Sequence, residues 1–181
     1  MDSVDLEAFK RRARRTYEWA RIRRALGAFA PVMLIVATAT LLTKRPGSAV
    51  AFGVALFAFG VSALWYGKGA QRAVLPALAL GLVPLALALC ASQMDHTCMG
   101  DACMAICVPA CTTGGLIAGL GMAIVGHRQK QGVRYWIAAS GVTLLTGAMG
   151  CSCVGYGGVA GLALGFGLGL GLHWARRLIL A

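Results

Sequence analysis

Acidic residues are nearly missing from this chain: six Asp and Glu stand against 17 Lys and Arg in 181 residues. Charged residues of both signs reach only 13%, about half the ~25% usual in soluble domains. That scarcity excludes a water-soluble fold, because too little polar surface is left to cover its outside. Disorder is excluded as well. It requires low hydrophobicity, and here 59% of residues are apolar and the mean hydropathy is +0.74. There is no Ser-His-Asp arrangement, no phosphate loop and no pair of carboxylates placed for hydrolysis. The glycines near the C-terminus lack the preceding strand that a dinucleotide motif needs. No Cys-x-x-Cys pair occurs, which counts against a zinc site of familiar spacing and against thiol–disulfide exchange. What remains is a polytopic membrane protein.

Five stretches carry no Asp, Glu, Lys or Arg: 25–43, 46–67, 73–94, 102–127 and 135–175. The first four hold 19, 22, 22 and 26 residues, and one helix needs about 20 to cross the ~30 Å hydrocarbon core. The fifth holds 41 and is broken at Gly150-Cys151-Ser152-Cys153, so it predicts two helices. The expected fold is all-α: a six-helix transmembrane bundle over residues 26–175, built from three helical hairpins. Its spans fall near 26–43, 48–66, 73–91, 107–126, 134–150 and 154–173, followed by a short cytoplasmic tail, 176–181. Continuous Leu/Ala/Gly/Val runs exclude the alternating pattern of a β-barrel. The first apolar stretch is too long for a cleaved signal peptide and lacks a clean Ala-x-Ala site, so it reads as a retained anchor. Leu87-Ala88-Leu89-Cys90 has the look of a lipidation box, but it lies far from the N-terminus.

Lys and Arg mark the cytoplasmic side of a bacterial-type inner membrane. With six crossings, 15 of them share one side and only Lys44 and Arg45 lie on the other, placing both termini in the cytoplasm. The net charge of +11 is then mostly a record of topology. Residues 1–25 predict a basic amphipathic helix. Leu6, Phe9, Ala13, Tyr17 and Ala20 form one narrow face, and Arg11, Arg12, Arg14, Arg15, Arg21, Arg23 and Arg24 lie among the residues around it. Such a helix suits the bilayer surface, with Arg on anionic headgroups. Docking of a cytoplasmic protein partner is the alternative. Nucleic acid is not expected, because no stacking platform accompanies the charge. The aromatic residues Trp19, Trp65, Tyr66, Tyr135, Trp136 and Trp174 fit interfacial anchors.

The second and third hairpins share a pattern. Cys111-Thr-Thr-Gly114-Gly115 and Cys153-Val-Gly-Tyr-Gly157-Gly158 open it, and His127 and His173 close it, 46 residues apart. A duplicated hairpin and a chance match of Gly-rich composition both account for this. Gly157, Gly161, Gly165 and Gly169 form a ladder on one face, and Gly115 and Gly119 repeat the spacing. Small residues let helices approach closely in lipid, so either the fourth and sixth helices pack together or the ladder joins two copies of the chain. Pro84 should bend the third helix, and Pro109 should stand near the start of the fourth. The hydroxyls of Thr38, Thr40, Ser62, Ser140, Thr143 and Thr146 can bond to carbonyls of their own helices. No Asp, Glu, Lys or Arg lies within any helix core, which counts against a proton-driven carrier.

All seven cysteines map to the outer side: Cys90, Cys98, Cys103, Cys107, Cys111, Cys151 and Cys153. Met94, Asp95, His96 and Met99 stand among them. Three readings follow. An oxidising outer face favours structural disulfides, most plausibly between the second and third outer loops. Thiolate, thioether and imidazole together suit a soft metal ion, copper or zinc. Thiols near a helix start could instead run thiol–disulfide oxidoreduction, although the outer loops hold no Lys or Arg to lower their pKa.

Overall fold

In the computed structural model the described residues are 3–42, 46–66, 68–94, 101–128, 132–152 and 155–180. They form six helices and, among the described residues, no strand. These are α1 (Ser3–Leu42), α2 (Pro46–Tyr66), α3 (Lys68–Met94), α4 (Asp101–Arg128), α5 (Val133–Cys151) and α6 (Tyr156–Leu180). Among the described residues, four stretches are long and apolar enough to cross a membrane: Gly47–Trp65, Gly69–Ala91, Cys107–Arg128 and Tyr156–Arg176.

In α1 the basic residues occupy the N-terminal half, and residues 25–42 carry no charge. In α5 the composition lowers the apolarity: Arg134, Tyr135 and Trp136 at its start, then Ser140, Thr143, Thr146 and three glycines within 19 residues. Its place in the bundle explains this. It packs against α2, α3, α4 and α6, and eleven of its residues are buried. A helix enclosed by protein needs small residues for close packing more than it needs apolar bulk.

Neighbour identities give the directions of the helices. Gly81 of α3 faces Thr143 and Thr146 of α5, and Gly150 faces Leu85, so α3 and α5 run parallel. Gly114 of α4 lies on Pro84 and Gly121 on Leu80, so α4 runs against α3. Gly115 meets Leu162 and Phe166, and Gly169 meets Leu116 and Leu120, so α6 runs with α4. Gly141 of α5 lies under Phe59 of α2, while Ser48 donates to Ser152 at 3.3 Å, so α2 opposes α5. The closest pairings are α4 with α6 and α3 with α5. These join helices two apart in the chain, where the sequence suggested successive hairpins.

Several expectations need correction. Residues 3–25 and the first apolar stretch are one uninterrupted helix, about 60 Å long at ~1.5 Å per residue. The change from basic to apolar composition near residue 25 falls inside this helix. Residues 11–17 are exposed on every side, Arg11, Arg12, Arg14, Arg15 and Tyr17 alike. Pro109 lies inside α4, eight residues past its start at Asp101. Pro84 lies inside α3 and is buried against Gly114 and Gly147. Helix α6 continues through Leu180. Tyr135 is no surface anchor: it is 1% exposed, and its hydroxyl approaches the Met122 sulfur at 3.9 Å.

Candidate functional site

The two ends of the bundle carry different chemistry. At one end α3 and α5 finish while α2, α4 and α6 begin. Cys90, Cys107, Cys111 and Cys151 are at this end. Cys90 is exposed near the end of α3, whereas Cys107, Cys111 and Cys151 are buried. One helical turn separates Cys107 from Cys111, which puts both on the same side of α4. Cys111 and Cys151 belong to a small core with Ala88, Ala148 and Leu162, so four helices meet there. The side chains of Cys111 and Cys151 are hydrogen-bonded to each other. This contact links α4 to α5.

The cysteines Cys90, Cys107, Cys111 and Cys151 are thiols, and among the described residues no disulfide is formed. Nor, among the described residues, do three or more His, Cys, Asp or Glu side chains converge as metal ligands would. Among the described residues, then, neither a disulfide nor a soft-metal site is formed. The reason is spatial: Cys90 faces outward while the other three thiols turn into the helix contacts. Met94 ends the backbone of α3, and Cys103 belongs to the first turn of α4. Asp95, His96, Cys98, Met99 and Cys153 lie outside the described residues.

The glycine ladder faces its neighbour within the chain. Gly115 lies on the backbone of Leu162 and Phe166, and Gly165 lies on the backbone of Thr112 and Leu116. Gly119 and Gly169 meet Phe166 and Leu116 in the same reciprocal way. Each pair is related by a shift of 50 residues, a local two-fold relation between parallel helices. The sequence likeness does not share that register: the Gly-Gly pairs lie 43 residues apart and the histidines 46. Gly161 faces Thr112 and Val108, whereas Gly157 has nothing within 4 Å of where a Cβ would stand.

At the opposite end, α4 and α6 bring His127 and His173 together. Their ring centroids are 6.0 Å apart, and the planes are tilted by 56°. His127 is exposed in the last turn of α4. His173 stands seven residues before the end of α6, and its Nε2 is buried with no hydrogen-bond partner among the described residues. The repeat pattern had already aligned these two histidines, but did not indicate that they meet. The hydroxyls divide similarly. Those of Thr38, Thr40, Ser62 and Thr146 bond to their own helices, but Thr143 donates across to Ala77 of α3 at 3.2 Å.

No protein family, no curated protein and no solved structure matches this chain.

Proposed function

We propose that this is an integral protein of a bacterial-type inner membrane, crossing it six times with both ends cytoplasmic. Its outer half carries an oxidisable pair of thiols. The observation behind the thiol reading is the hydrogen bond between Cys111 and Cys151 inside a four-helix core. Oxidation removes one hydrogen from each thiol and joins the sulfurs in one bond. The two protons and two electrons pass to a membrane-soluble acceptor of the quinone class, which leaves as the quinol. Both sulfurs are wholly buried in the helix contacts, so the α4–α5 seam must open for the acceptor to reach them. The product fastens α4 to α5, and reduction releases them. The membrane reading is supported by the four apolar helices and by 15 of 17 basic residues sharing one side.

Copper–phenanthroline oxidation of native membranes, followed by peptide mapping, tests the thiol reading. A Cys111–Cys151 linkage is the expected product. Both thiols surviving intact after other exposed thiols have reacted would overturn it. Orientation is tested separately, through exposed Cys90. An impermeant maleimide should label Cys90 from outside intact cells, and protection of Cys90 until the cells are broken would reverse the map.

A second reading is favoured by the exposure of Tyr17 and Trp19, 69% and 70%, on the basic part of α1. Anionic lipid headgroups or a cytoplasmic protein partner would cover that segment.

A further inference from the structure

We propose that His127 and His173 bind one divalent transition-metal ion across the cytoplasmic ends of α4 and α6. This site is separate from the thiols and stands without them. Two imidazoles held tetrahedrally by one ion at ~2.0–2.1 Å have ring centres about 5.2 Å apart, and a side-chain rotation that closes the observed 6.0 Å by less than ~1 Å reaches that. The unpartnered Nε2 of His173 is a buried polar atom that a ligand would satisfy. Imidazole suits zinc, copper and nickel among the first-row ions. With two protein ligands, water fills the remaining positions, and the exposure of His127 allows it in.

Local electrostatics act in both directions. His127 stands in the last turn of α4, where the helix dipole carries partial negative charge and favours a cation. Arg128 and Arg176 oppose it, but both are exposed, so solvent and salt screen them. The rigidity of the support decides the matter. The glycine contacts from Gly115 to Gly169 fix the two helices against each other at backbone distance. The two rings are therefore presented at close range, and the ion need not order the helices on binding.

Calorimetric titration of zinc into the full-length, tag-free protein in detergent tests this. One ion per chain is expected, with His127→Gln and His173→Gln each weakening binding at least tenfold. His96→Gln should leave it unchanged. Cobalt substituted for zinc should show no sulfur-to-metal charge-transfer band. At ten times the dissociation constant, zinc should raise the Tm of the parent by about 3–6 °C. The two histidine variants should keep the parent's metal-free Tm, so that lost binding is not lost folding. No binding by the parent overturns the proposal. So does unchanged affinity in either histidine variant, or a sulfur band with cobalt.

Discussion

Replacing Gly169 with alanine puts the contact between α4 and α6 to a quantitative test. The added methyl would stand 2.5 Å from the Leu116 carbonyl oxygen, 2.9 Å from the Leu120 nitrogen and 3.1 Å from the Gly119 Cα. All three are backbone atoms and cannot swing aside. Ordinary contact begins at 3.4 Å, so the helices must part by about 0.9 Å. Overpacking of this kind costs roughly 1–3 kcal/mol. Alanine also gains up to ~1 kcal/mol of helix propensity over glycine, which would mask part of the loss. Gly167→Ala supplies the correction, because nothing lies within 4 Å of its added methyl. Between the two variants the propensity gain cancels and the packing cost remains. In thermal unfolding in detergent, Gly169→Ala should melt about 2–12 °C below Gly167→Ala. Equal melting temperatures would mean that the close approach of the two backbones contributes nothing.

Two further expectations are smaller. Thr143→Val removes the hydrogen bond to Ala77 of α3, and should cost about 0.6 kcal/mol, the average for such bonds within bilayers. Thr146→Val, whose bond stays within its own helix, should cost less, and the reverse order in unfolding experiments would contradict the α3–α5 pairing. Glu18→Gln breaks the exposed ion pair with Arg14 at 3.2 Å. Its effect should stay below ~0.5 kcal/mol, and a larger loss would mean that this part of α1 rests on something more than its own turns.

The helices themselves were legible because apolar run length and charge placement depend on the bilayer, not on tertiary detail. Boundaries missed by a few residues where a helix runs on past the apolar stretch that marked it, as α4 does at Asp101 and α6 does from His173 to Leu180. The glycine spacing in α6 signalled a close-packed face, but spacing alone could not choose its partner. Gly157, which fits the ladder, contacts nothing. The pairing of α3 with α5 was not legible. Gly81, Gly147, Gly150 and Thr143 are scattered singly, and a threonine in an apolar helix satisfies its hydroxyl on its own backbone as readily as on a neighbour's. The thiol clustering was legible as a bias to one end. That Cys111 meets Cys151 depends on helix rotation, which composition does not encode. Tyr135 misled for a related reason: its position near a helix end matched an anchor, while its rotation turned it inward onto Met122.

The enclosure of α5 bears on how the chain is made. On the six-crossing reading, this segment emerges from the ribosome with too few apolar side chains to prefer lipid by its own partition energy. α3, synthesised earlier, already offers Gly81 and the Ala77 carbonyl as docking points. Biogenesis of the third pair of helices is then templated by what preceded it, and a chain lacking α3 would be expected to strand α5 outside the membrane.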